Sequence, residues 1–260
     1  MSDNSQFDVY AAFYDLLYRD KDYKGESDYI DKLIQKFSNR ERSKTTLLDL
    51  ACGTGKHLFE LVDKGYAALS GSDISKSMIE IANKNKEVKG KDITFYDYSF
   101  QESNKITQKF DVVISMFSAM NYLTSYADQC KTLVNIHALL NHDGIFIFDY
   151  WNGCAVTENY SPVKVLKKQQ DNTELTRVSE TTLDLINQRA TVKFSCSFIK
   201  DNQRLADFVE THYLHYYYFS EMKNLLVSHG FEILHTSPFM HTEKPITPHE
   251  WNISVIAKKI

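Results

Sequence analysis

A chain of 260 residues with 43% hydrophobic content is long enough for one large packed domain or for a domain with a smaller companion, and its 30 Lys and Arg against 34 Asp and Glu leave a formal charge of −4. That balance supplies no field for a polyanion, so nucleic acid is excluded as a general partner. No stretch reaches the ~18 consecutive apolar residues of a membrane span. Met1 to Val9 lacks the apolar segment of a secretory signal, and the four cysteines and nine histidines are scattered, so the expectation is a cytoplasmic protein with reduced thiols and no metal.

The chain opens on an aromatic-rich segment, Tyr10, Phe13, Tyr14, Leu16, Leu17 and Tyr18, broken by the charges at 19 to 22 and followed by Tyr23. Apolar spacing of three and four predicts an amphipathic helix over 27 to 37. A strand follows at 46 to 50, then a glycine loop, a helix through Leu58, Leu61 and Val62 closed by Gly65, and a strand at 67 to 71. The next helix spans 75 to 83, capped by Ser75 or Asp73, and a strand covers 92 to 95. The run 110 to 117 is apolar on both faces, as a parallel strand between two helix layers should be. A helix over 126 to 140 and a fifth strand at 145 to 150 complete this half.

From Val163 the pattern changes to alternation, at 163–166, 174–185, 190–199 and 207–218, with Asn and Asp turns between the runs, which predicts an antiparallel meander. Helix returns over 220 to 229 with Ser220 as N-cap, and strands close the chain at 231–235 and 252–257. The fold expected is α/β, a doubly wound, mostly parallel, seven-stranded Rossmann-like sheet with an antiparallel β insertion after strand five. Three regions follow: a lid and nucleoside-binding core over 1–155, the insertion over 156–219 as substrate roof or dimer contact, and a return to the core sheet over 220–260.

Leu47-Leu48-Asp49-Leu50-Ala51-Cys52-Gly53-Thr54-Gly55, followed by Gly71-Ser72-Asp73, is a strand-loop-helix-strand unit that grips a nucleoside. A dinucleotide would set its pyrophosphate at the helix N-terminus, where no anion should compete. Asp49 is such an anion, and Leu58 stands where the dinucleotide pattern has its third glycine. A cationic nucleoside such as S-adenosylmethionine is instead attracted by carboxylates there. With Asp97 and Phe110-Asp111-Val112-Val113-Ile114, these residues resemble the ordered motifs of class I S-adenosylmethionine-dependent methyltransferases over 44 to about 150. The resemblance implies that Gly53 and Gly55 admit the methionyl moiety, that Asp73 receives the ribose hydroxyls, and that Asp97 with the Tyr98 amide reads the adenine edge. Asp49, Ala51, His57, Ile74, Met78, Met116 and Phe117 join them as expected cofactor contacts, with Tyr14 and Tyr23 closing from the N-terminal lid.

A narrower likeness to bacterial N-methyltransferases of nucleotide-linked amino sugars rests on Tyr14-Asp15, Lys21-Asp22-Tyr23, Gly55-Lys56-His57-Leu58, Met116-Phe117-Ser118 and the insertion. The chain departs from those enzymes at Asn121-Tyr122, where they tend to carry a His, and at 149 to 153. Residues after strand carboxyl ends, Phe117, Tyr122, Trp151 and Asn152, are the expected substrate wall. The expected reaction is methyl transfer to a small molecule, plausibly a sugar amine, with Tyr14 and Tyr122 orienting the acceptor or removing its proton through water. An O-methyltransferase, a non-catalytic cofactor-binding protein and a nicotinamide-dependent dehydrogenase are the competing readings, and a homodimer is the assembly leaned toward. The run at 212–219 places His212, Leu214, Tyr216 and Tyr218 on one face of a strand and reads as packing or a subunit contact.

Overall fold

A computed structural model describes residues 17–260 apart from positions 19, 39, 171 and 202. Tyr14, Tyr10 and Phe13 therefore lie outside the described residues. The first helix, α1 (Tyr23–Phe37), starts earlier than its apolar spacing predicts, because Asp22 caps it and accepts from the Gly25 N–H at 2.8 Å. It buries Tyr29, Ile30, Leu33 and Ile34, its apolar stripe. The strands and helices then alternate as β1 (Thr46–Leu50), α2 (Lys56–Asp63), β2 (Ala68–Ser72), α3 (Lys76–Lys89), β3 (Ile93–Tyr96), β4 (Phe110–Ser115), α4 (Tyr126–Leu139) and β5 (Leu140–Trp151). After β5 come α5 (Gly153–Asn159), four strands β6 (Val163–Gln170), β7 (Thr173–Asp184), β8 (Arg189–Lys200) and β9 (Gln203–His215), then α6 (Phe219–Ser228), β10 (Phe231–Pro238) and β11 (Asn252–Lys259).

Seven strands form one sheet in the order β10-β11-β5-β4-β1-β2-β3. β1 to β5 pair in parallel, while β11 runs antiparallel to both β5 and β10. The expected doubly wound, mostly parallel sheet is therefore present. Period-two alternation sends side chains to two cores. Leu48, Leu50, Phe146 and Phe148 join Leu133 of α4 and Leu226 of α6 on one face, and Leu47, Ile145 and Ile147 join Ile30 of α1 and Leu58 of α2 on the other. Each fully buried side chain of this size contributes about 1.5–3 kcal/mol. Chain order reverses between β1 and β4, which opens a crevice at their carboxyl ends.

The four remaining strands form the expected antiparallel sheet, β6-β7-β8-β9. It is not an isolated flap. Its residues Leu175, Cys196 and Phe198 pack with Leu17 and Met78, and Val192 and Leu214 pack with Val156 and Tyr216. One local expectation needs correcting. Helix α6 is capped at Tyr218, not Ser220: Glu221 reaches back to the Tyr218 N–H at 3.4 Å, which draws Phe219 and Ser220 into the first turn. The segment after β5, for which the sequence predicts no element, carries α5. Among the described residues no helix is long and apolar enough to cross a membrane.

Candidate active site

The crevice widens into a cavity of about 780 Å³, walled on one side by the loops after β1, β2, β3 and β4 and on the other by β8 and β9. At its floor β1 ends in a tight reversal. Ala51 takes a left-handed φ of 64°, and the N–H groups of Ala51 and Cys52 both donate to the Ser72 carbonyl, at 2.7 and 3.0 Å. Gly55 (φ 78°) starts α2, and a Cβ there would lie 2.8 Å from the Phe95 ring, so this position suits only glycine. Gly71 supplies the close helix-to-strand approach for which a third loop glycine is used elsewhere: a Cβ on it would meet Leu58 Cδ1 and Cys52 Sγ, each at 2.8 Å.

Asp73 ties this floor together. Its carboxylate accepts from the Gly53 N–H at 2.8 Å and from the Ser75 N–H at 2.9 Å, while Ser75 caps α3. Burial lifts its pKa above the usual carboxylate range, although those backbone donors oppose the shift. Asp49 is the more extreme case. It is 1% exposed, its Oδ2 has no hydrogen-bond partner among the described residues, and burial followed by the neighbouring Asp73 charge drives its pKa well upward, against the pull of Lys21. A buried carboxylate left without a donor is costly, and a cation delivered to the cavity relieves that cost. Cys52 is not a nucleophile here, since burial and the same two acids push its thiol pKa well up.

The N-terminal wall is held by a buried chain of charges. His57 Nε2 meets Glu26 at 2.7 Å, and Lys21 pairs with the same carboxylate while its ammonium lies 4.5 Å from the Tyr23 ring centre and 4.6 Å from that of Phe117. Burial acts against the Glu26 charge, but hydrogen bonds from His57 and Lys21 outweigh it and hold the carboxyl below its usual range. Phe117 and Ser118 are both left-handed (φ 63° and 57°), and Asp149 fixes that turn from below, accepting from the Ser118 N–H and Oγ and from Asn252 Nδ2.

Of the residues expected from sequence, Tyr23, Asp49, Ala51, Gly53 and His57 line the cavity, and so do Asp73, Ile74, Met78, Tyr98, Met116 and Phe117. Tyr122 and Trp151 line it as well. Gly55 does not, because its role is to turn the chain into α2. Asp97 does not either: Tyr96 and Tyr98 stack with ring centres 6.0 Å apart and pack on the core, so the residue between them is exposed on the other side. Asn152 is spent elsewhere. It caps α5 by accepting from the Cys154 N–H at 3.2 Å, and its amide donates to the carbonyls of Thr247, Pro248 and Glu250. Sequence reasoning missed Tyr18, Asn121, Arg189, Phe194 and His212, all of which face the cavity. Only strand alternation could have grouped the last of these. The Asn121 side chain accepts from the Trp151 N–H at 3.2 Å, and its buried Nδ2 has no partner among the described residues.

Asp73 yields a direct test of the floor. In Asp73→Asn one carboxylate oxygen becomes an N–H₂ facing an N–H donor, so affinity for S-adenosylhomocysteine is expected to drop by roughly tenfold, a loss of about one hydrogen bond to a charged group. Isothermal calorimetry checks it, and wild-type affinity in the variant would remove Asp73 from the ligand's surroundings.

Comparison with known proteins agrees with this geometry. A family model described as a methyltransferase domain matches residues 41–212. The dTDP-3-amino-3,4,6-trideoxy-alpha-D-glucopyranose N,N-dimethyltransferase of Streptomyces venezuelae is 31% identical over 55% of this chain and 56% of its own length, so the likeness spans about half of that protein. A putative methyltransferase of Bacillus subtilis (strain 168) is 25% identical over 90% of each chain. Among solved structures, an S-adenosylmethionine-dependent methyltransferase of Clostridium acetobutylicum superposes with a TM-score of 0.82 over 97% of this chain and 98% of that one, at 22% identity. The Asp49 carboxylate, whose Oδ2 has no partner among the described residues, and the anchored Asp73 are the acceptors and negative charges that a cationic nucleoside requires and that would repel a pyrophosphate. With its sheet order, its glycine loop and the family match over 41–212, the chain belongs to the methyltransferase-domain family, as a class I S-adenosylmethionine-dependent methyltransferase.

Proposed function

We propose that the chain methylates an amine on a small, polar, hydroxylated metabolite, with a nucleotide-linked amino sugar as the acceptor class. When bound, S-adenosylmethionine supplies a methyl group on a positively charged sulfur, which needs no further activation. The protein's task is orientation and exclusion of water, worth up to roughly 7–11 kcal/mol of the barrier. In this reading Asp49 balances the ligand's positive charge, Asp73 receives the ribose diol, and Tyr98 with Ser99 borders the base. Tyr14 is assigned to the lid as an expectation from sequence.

The observation that carries the acceptor class is the far half of the cavity. Aromatic side chains of Phe117, Tyr122, Trp151 and Phe194 line the same cavity as Asn121, whose Nδ2, without a partner among the described residues, is a neutral donor suited to a sugar oxygen, and as Arg189, which could meet a phosphate. Stacking surfaces with sparse, fixed polar groups suit a pyranose ring and its base. The strands β8 and β9 then act as substrate roof. The test is incubation with S-adenosylmethionine and dTDP-3-amino-3,6-dideoxyglucose, followed by mass spectrometry. A product heavier by one or two methyl groups is expected. Turnover of hydroxyl acceptors alone, with the amine untouched, would replace this reading with O-methylation.

A further inference from the structure

We propose that Tyr122, His212 and Glu210 form a proton relay that takes the proton released by the acceptor during methyl transfer, with His212 as its terminal base and Glu210 as the residue that positions and charges it. The inference rests on the methyl-transfer reading above and adds residues from the β insertion to the reacting machinery.

The three side chains come from two separate parts of the chain. Tyr122 ends a short 3-10 helix, Ala119–Tyr122, after β4, while Glu210 and His212 alternate onto the same inward face of β9. The Tyr122 hydroxyl lies 3.0 Å from His212 Nδ1, and Tyr122 and His212 both line the cavity. On the other side of the imidazole, Nε2 is 3.5 Å from a Glu210 oxygen, and both residues are buried, at 3% and 5% exposure. Phe194 packs on the imidazole with ring centres 4.8 Å apart and fixes its plane. Glu210 accepts no hydrogen bond among the described residues. A carboxylate buried in this way is strongly unfavourable unless a charge partner forms beside it. An imidazolium formed at His212 during turnover would be that partner.

With the Nε2 proton directed at Glu210, Nδ1 is the acceptor for the phenol. The acceptor amine's lone pair forms the new N–C bond as the S–C bond breaks and its electron pair stays on sulfur. One N–H proton then passes to the Tyr122 oxygen while the Tyr122 hydroxyl proton moves to His212 Nδ1. Atoms and charge balance: the positive charge that leaves sulfur ends on the imidazolium beside Glu210. Tyr122 is 43% exposed, yet desolvation around its hydroxyl, with Tyr18, Glu210 and Asp73 adding to the effect, holds its pKa above that of a free phenol, so Tyr122 conducts the proton and does not keep the charge. Around the relay, the ionisable groups contributed by neighbouring elements are the Tyr18 phenol, Asp73, the Cys196 thiol and Arg177, whose guanidinium lies 4.7 Å from the Phe194 ring centre.

The test uses the full chain with S-adenosylhomocysteine bound, and follows His212 by imidazole ¹⁵N NMR across pH, with the signal assigned through His212→Gln. A neutral base beside a carboxylate protonates more readily, so Glu210→Gln is expected to lower the His212 midpoint. Tyr122→Phe is expected to change the Nδ1 shift by removing the hydroxyl 3.0 Å from it. Midpoints and shifts identical to wild type in both variants overturn the relay. With dTDP-3-amino-3,6-dideoxyglucose as acceptor, the acid limb of kcat/KM is expected to move to lower pH in Glu210→Gln. In His212→Gln, kcat is expected to fall about 100-fold with S-adenosylhomocysteine affinity retained. Wild-type kcat in His212→Gln also overturns the proposal. NMR coupling without turnover of the amine counts against the acceptor class and supports the relay.

Discussion

Asp49→Asn is expected to make the ligand-free protein more stable and to weaken its grip on S-adenosylmethionine at the same time. The carboxylate is 1% exposed with an orphaned Oδ2, and burial and Asp73 raise its pKa well above the ordinary value. A carboxyl with a raised folded-state pKa stabilises the fold while protonated, and that stability is lost as pH rises from the unfolded pKa through the folded one. Above the unfolded pKa the buried carboxyl is therefore a standing cost, as a charge or as a retained proton, and the near-isosteric amide removes it. A gain of about 1 kcal/mol in a chain of this size raises Tm by about 2–4 °C. The ligand's positive charge is what the carboxylate is kept for. Truncating one partner of a buried charge pair costs about 2–5 kcal/mol, so affinity is expected to fall at least 30-fold. Linkage adds a sign that stability alone lacks: wild-type binding strengthens as pH rises and releases a proton, whereas Asp49→Asn binds without one. Calorimetry in two buffers of different ionisation enthalpy separates the cases. An unchanged affinity with no difference in proton release would mean that Asp49 does not face the cation.

What the sequence makes legible is governed by how local the cause is. The strand at 46–50, the glycine loop and Asp73 are adjacent in the chain, and their turn chemistry is written in Ala51 to Gly55, so both fold and nucleoside floor could be read. The same holds for β4 and β5, whose continuous apolar runs fit only a doubly covered strand. Asp97 and Asn152 stand outside the cavity lining for a different reason. Each sits at a strand end, where ligands bind, but a side chain's direction there depends on its neighbours: the stacked Tyr96 and Tyr98 decide the first, and the cap of α5 the second. The role of His212 within the 212–219 run, half of which reads as packing or a subunit contact, is not legible because its pairing with Tyr122 spans 90 positions and exists only once the insertion folds back over the crevice. Long-range juxtaposition of this kind leaves no spacing signal in one sequence.

Asp149→Ala is expected to be the most damaging single change to stability, and its effect on catalysis should exceed its effect on cofactor binding. The side chain is fully buried and accepts from the Ser118 N–H at 3.0 and 3.1 Å, from Ser118 Oγ at 2.8 Å and from Asn252 Nδ2 at 2.7 Å. Burial raises its pKa, and these donors pull it back. Removing the acceptor leaves buried donors unsatisfied at about 1–3 kcal/mol each, so a loss of about 3–5 kcal/mol and a fall in Tm of about 10 °C follow. It also frees Phe117 and Ser118, two consecutive non-glycine residues whose left-handed conformations cost of order 1–3 kcal/mol each unless something holds them. Phe117 stacks edge-on against Tyr18 with ring centres 5.3 Å apart, so relaxing the turn shifts the wall between the cofactor floor and the acceptor half. Asp73 and the glycine loop are untouched by this shift. Measured well below the variant's Tm, kcat is therefore expected to fall about 100-fold while affinity for S-adenosylhomocysteine changes little. A variant that loses Tm but keeps wild-type kcat at low temperature would make Asp149 a purely structural anchor, and the Phe117 turn would then be free to move without consequence for the reacting groups.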